Sequence, residues 1–122
     1  MGTRSLTFVY DEDTPLINMY RQFDGYPSGH GVELAEFLSG FEIVNGYGEV
    51  KPKLANGMGC LAAQLIAHFK KSVGGFYIHA ITDSVGVDYE YHVYANKVVV
   101  KDPDEVVFSG SRNDFVEYCK AE

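Results

Sequence analysis

Arg21 and His30 frame the chemistry of one short stretch, YRQFDGYPSGHG, which runs from Tyr20 to Gly31. A guanidinium presents a planar fork of N–H groups that suits phosphate or carboxylate. An imidazole beside it adds a hydrogen bond or a proton. Gly29 and Gly31 flank His30, and glycine lets a backbone come close to a ligand. The helix that follows brings free N–H groups and partial positive charge at its start. Tyr20 and Tyr26 add rings that stack on a base or sugar, and Asp24 and Ser28 add polar groups. Tyr20, Arg21, Asp24, Tyr26, Ser28, Gly29, His30 and Gly31 thus read as a site for a small anionic ligand, a nucleotide or phosphorylated metabolite.

A second segment, ANGMGC, has the same character: Asn56, Gly57 and Gly59 open the next helix. The two helix starts converge on one ligand if the helices pack side by side in parallel. Neither GxxxxGK[ST] nor GxGxxG occurs, so the sequence carries no phosphate-loop fingerprint. A purely structural reading competes. In it Gly25 supplies a turn with positive φ, Pro27 fixes the chain and Ser28 caps the helix. That reading leaves Arg21 and His30 without a purpose.

Two further constellations involve cysteine and histidine. Cys60 falls in the first turn of a predicted helix, where the dipole favours thiolate. Papain-like hydrolases place a nucleophilic cysteine there, with its histidine on a following strand. His79 or His30 would act as base here, with Asp83 or Gln64 as the orienting group. The competing reading packs Cys60 among Leu61, Ala62 and Ala63. His79 and His92 face each other if a turn at Val85–Gly86 joins their strands, and with Glu90 they make a candidate zinc set. Otherwise they belong to a tyrosine-rich sheet face with Tyr77 and Tyr94, either solvated or the surface of a homodimer. His68 complements the end of its helix, and Cys119 packs in the last helix.

The elements that must position these groups follow from periodicity. RSLTFVY alternates as a strand, DEDTP is turn chemistry, and LINMYRQF returns as its hairpin partner. Arg21 shares a row with Ile17 and Met19, which aims it at the covered face. In GVELAEFLSGF, Leu34, Phe37, Leu38 and Phe41 form a helical stripe that Gly40 ends. VNGYGEVKPKLANG is a long turn-rich connection, and MGCLAAQLIAHFKK is the clearest helix. The strands FYIHAITD, DYEYHVYA, KVVVK and EVVFS follow, with Asn96 in a tight turn. Ser111 and Asp114 form a capping-box variant that opens a short helix over 112–120. The order ββααβββ(β)α predicts one two-layer α+β domain over 1–122, with an antiparallel sheet of five to six strands.

Composition bounds the rest. A chain of 122 residues with 46% hydrophobic content forms one core. The net charge of −7 and ten scattered Lys and Arg residues argue against gripping nucleic acid or an anionic membrane. The cysteines form no CxxC pair, the first residues lack an apolar leader core, and no apolar run reaches a membrane span. These features point to a reduced, cytoplasmic protein that needs no cofactor.

MGTRS, YRQFDGYPSGHG and NGMGCLAAQ together resemble a small family of uncharacterised bacterial and phage proteins. The likeness covers about the first half of the chain. It implies an intracellular protein of phage or mobile-element origin, for which a ligand-sequestering role is conceivable. It carries over no catalytic residue.

Overall fold

The computed structural model describes residues 2–83 and 86–122. Its elements are β1 (Ser5–Asp11), β2 (Thr14–Arg21), a π-helical turn at Pro27–Gly31, α1 (Val32–Leu38), β3 (Glu42–Val44), β4 (Leu54–Asn56), α2 (Gly57–Phe69), β5 (Phe76–His79), β6 (Tyr89–Val93), β7 (Val98–Lys101), β8 (Val106–Gly110) and α3 (Arg112–Ala121). Six strands form one sheet in the order β5-β2-β1-β6-β7-β8, and β3 and β4 form a separate parallel pair. This is a mixed α+β fold.

The hairpin β1–β2 forms because Glu12 accepts a positive φ of 55° in a two-residue turn between Asp11 and Thr14. The pleat then decides which groups meet the helices. Thr7, Met19 and Tyr91 lie in one register row, with Val9, Ile17 and Val93 beside them. Met19, Val9, Tyr91 and Val93 join Leu34, Leu38, Leu61 and Leu65 in the core. Each such side chain contributes roughly 1.5–3 kcal/mol on burial. Leu6, Phe8, Asn18, Tyr20 and His92 alternate onto the opposite face.

Two expectations about the strands are corrected. β5 and β6 do not form a hairpin: β5 pairs antiparallel with β2, and β6 pairs parallel with β1. The expected turn at Val85–Gly86 lies partly outside the described residues. The physical reason is burial. Tyr91 and Val93 are fully buried and need a central strand, whereas Tyr77 and Ile78 are exposed and suit an edge. The long connection before α2 also holds the short strands β3 and β4, too brief for a periodic signal.

The helices follow their stripes. Leu34, Phe37, Leu38 and Phe41 are buried, and Gly40 ends the turn at φ 78°. Ser111 Oγ accepts the Asp114 N–H at 3.1 Å and starts α3 as expected. α1 packs on α3, while α2 packs on β1 and β2. No described helix is long and apolar enough to cross a membrane.

Candidate functional site

Arg21 ends β2 on the helix side, and its side chain is 9% exposed. Its Nε donates to the Phe23 carbonyl at 2.8 Å. Its Nη1 reaches both His30 Nδ1, at 3.2 Å, and the Glu33 carboxylate. Arginine cannot accept a hydrogen bond, so Nδ1 of His30 must be the acceptor. Nε2 then carries the proton and donates to Thr7 Oγ1 at 2.8 Å. His30 is fully buried, with both nitrogens occupied. Burial first, and the Arg21 charge second, push its pKa down to about 3, so the ring is neutral.

The turn around His30 is built for close packing. Asp24, not Gly25, takes the positive φ, at 60°. Gly25 is needed for another reason: a Cβ there would sit 2.9 Å from the Arg4 and Ser5 backbone. A Cβ at Gly29 would meet Asp24 O at 2.7 Å, and one at Gly31 would meet Cys119 Sγ at 2.8 Å. Ser28 does not cap α1. It lies exposed inside the π-helical turn, whose preceding residue, Tyr26, makes no side-chain cap. The His30 N–H instead bonds Asp24 O at 2.8 Å.

The stretch therefore does not line one ligand pocket. Tyr20 points to the opposite sheet face, where it stacks on His79. Asp24, Tyr26 and Ser28 are exposed, and Gly29, His30 and Gly31 are committed to packing. The two helices are also not parallel. Glu33 in the first turn of α1 meets Arg21, which lies over Phe76, and Phe76 packs on Phe69 at the end of α2. At the other end, Lys53 Nζ donates to the carbonyls of Glu36 in α1 and of Ser39 just after it, next to Leu54, which leads into α2. The start of α1 thus lies by the end of α2, so the two helix N-termini do not converge on one ligand. Asn56 Oδ1 accepts the Gly46 N–H at 2.7 Å and belongs, with Cys60, to a smaller pocket of about 210 Å³. Gly57, at φ 84°, and Gly59 lie at that end and not beside Arg21.

What the structure does open is a groove of about 920 Å³ between α1 and α2. Phe37, Phe41, His68, Phe69 and Phe76 supply its aromatic lining, and Phe37 and His68 lie 4.8 Å apart. Arg21 and Lys71 bring positive charge, with Lys53 at the far side, against Glu33 and Glu36. Arg21 Nη2 has no partner among the described residues. Of the sequence-predicted site, Arg21 alone reaches this groove. The other lining residues come from four separate segments, and no local motif links them.

The cysteine and metal constellations are not assembled. Cys60 Sγ donates to Gln64 Oε1 at 3.4 Å, and Gln64 in turn donates to the Leu54 carbonyl. His79 lies on the sheet face away from α2, 3.7 Å from Asp83, and His30 is occupied. Cys60 thus has no histidine base among the described residues. His92 does pair with Glu90, at 3.0 Å, but His79 is two strands away across β2 and β1. Among the described residues no three metal-binding side chains gather. Cys119 is fully buried, and burial pushes its thiol up to about 12.

No family model matches the chain, and neither a curated protein nor a solved structure does.

Proposed function

We propose that the protein binds a small anionic molecule with a planar ring, of the nucleotide or phosphorylated-metabolite class, in the groove between α1 and α2, and does not transform it. The observation that carries this reading is Arg21. Its guanidinium is held by Phe23, His30 and Glu33 through Nε and Nη1, and Arg21 also lines the aromatic groove. A preorganised cation loses little side-chain freedom when an anion arrives. Phe37, Phe41 and Phe76 offer faces for a ring, and Lys71 offers a second cation at the same end. The lining holds Arg21, Lys53 and Lys71 against Glu33 and Glu36, a positive balance in a chain of net charge −7. Non-catalytic capture also suits a ligand-sequestering role, the analogy that small phage proteins offer.

Thermal denaturation against a panel of nucleotides and phosphorylated metabolites tests the reading, because a ligand of the native state raises apparent stability. At least one ring-bearing phosphate should raise the midpoint. Lys71→Glu should abolish that rise while leaving the free protein's midpoint in place, since Lys71 is exposed. A flat response across the panel overturns the proposal.

A further inference from the structure

The sheet face turned away from the helices carries a second hydrogen-bonded chain. The Tyr10 hydroxyl lies 2.6 Å from His92 Nδ1, and His92 Nε2 lies 3.0 Å from Glu90 Oε1. A carboxylate only accepts, so Nε2 holds the ring proton and Nδ1 receives the phenol O–H. Hydroxyl, base and orienting acid thus stand in the order that nucleophilic catalysis uses. The parts are also held in place. Phe8 lies flat on His92, with centroids 4.9 Å apart and planes at 5°. Tyr10 stacks on Tyr94 at 4.4 Å and 8°, and a bulge between Val9 and Tyr10 re-aims the ring. Lys97 places a cation 4.8 Å from the Tyr94 ring centre.

We propose that Tyr10 is a nucleophilic site that accepts an acyl group from activated esters, with His92 as its base and Glu90 as the residue that positions the base. The phenol oxygen attacks the ester carbonyl carbon as its proton passes to His92 Nδ1. Glu90 holds the imidazolium through Nε2–H. The tetrahedral adduct collapses with loss of the alkoxide or phenoxide, which takes the proton from Nδ1. An O-acyl-tyrosine and a free alcohol or phenol result, and no redox partner is needed. Burial, then the neighbouring Tyr94, push the Tyr10 phenol up to about 12, so no tyrosinate stands ready at neutral pH. Reactivity must come through His92. Burial pulls that ring's pKa below its ordinary value against the opposing pull of Glu90, which keeps it neutral and able to accept.

The full chain incubated with 4-nitrophenyl acetate, followed by tyrosine-by-tyrosine mass mapping, tests this. Tyr47, 60% exposed, is the internal standard. Tyr10 should acetylate at least about tenfold faster than Tyr47, as general-base assistance provides. Its rate should stay level from about pH 7 to 9, whereas that of a free tyrosine amide climbs about tenfold per pH unit with its phenolate fraction. His92→Gln should bring Tyr10 down to the Tyr47 rate. Glu90→Gln, at a partly exposed position, keeps the imidazole in place and should slow Tyr10 several-fold. Tyr10 acetylation no faster than at Tyr47, or a wild-type rate in either variant, overturns the proposal.

Discussion

Two imidazoles, one on each face of the same sheet, are almost equally buried and yet differ in what they can do. His30 sits between an arginine and a threonine. His92 sits between a phenol and a carboxylate. Burial comes first in keeping both rings short of a proton, and the flanking groups then decide what each ring can do. Arg21 cannot surrender a proton and its charge repels another, so His30 is fixed as a neutral strut. The Tyr10 hydroxyl can pass its proton to His92 while Glu90 holds the far nitrogen. The helix-side network holds β1, β2, the π-helical turn and α1 in one arrangement. The open-face chain joins only β1 and β6, and its ends reach the surface.

The comparison breaks most visibly at His30. Replacing it with alanine leaves the Thr7 hydroxyl and Arg21 Nη1 short of a buried partner and opens a cavity, so urea unfolding should show a loss of about 3–4 kcal/mol. His92→Gln, with the polar ends near solvent, should cost about 1 kcal/mol or less. Equal losses would erase the distinction. Acid sharpens it. In the unfolded chain His30 takes its proton near the ordinary histidine value of 6.5, while the fold refuses it down to about 3. The unfolded state therefore binds more protons across that window. His30 alone should lower stability by about 1.4 kcal/mol per pH unit as pH falls through it. Urea titrations at several pH values should show a slope flatter by that amount in His30→Phe, and an identical slope would assign the acid response elsewhere.

The tightness of the His30 side is itself measurable. Gly31→Ala drives a Cβ to 2.8 Å from Cys119 Sγ and should cost about 1–3 kcal/mol. Cys119→Ala should recover part of that loss in a double-mutant cycle. The smallest effect is expected far from both imidazoles, where Ser111→Ala removes the α3 cap and about 1 kcal/mol in a thermal melt.

Much of the helix-side arrangement was legible in the sequence. The two-residue period put Arg21 on the covered face beside Met19, and the helical stripe put Leu34, Phe37, Leu38 and Phe41 inward. A period reports which face a side chain takes but not which strand lies next to it. The parallel β1–β6 pairing, and with it the Tyr10–His92 contact, therefore had no local signal. The same gap hid the groove, whose lining is gathered from β2, α1, α2, β5 and the connection before α2. From the sequence Gly25 reads as a source of positive φ and Gly29 and Gly31 as room for a ligand, whereas all three are small because protein neighbours come too near. A clash with Cys119, far along the chain, leaves no mark beside Gly31.

The seam between β1 and β6 also divides the protein by ancestry of contact. β5 and α2 knit to β1 and β2, and β3 pairs with β4 beside α2, while β6, β7 and β8 form a meander of their own that carries α3. The halves meet along β1–β6 and where α3 rests on α1 and on the π-helical turn. The second half gathers through neighbours close in sequence, whereas the β1–β6 pairing joins the strand partners farthest apart along the chain and carries the largest loop-closure cost. A break in the chain between β5 and β6 would then leave two pieces that are complementary surfaces for each other.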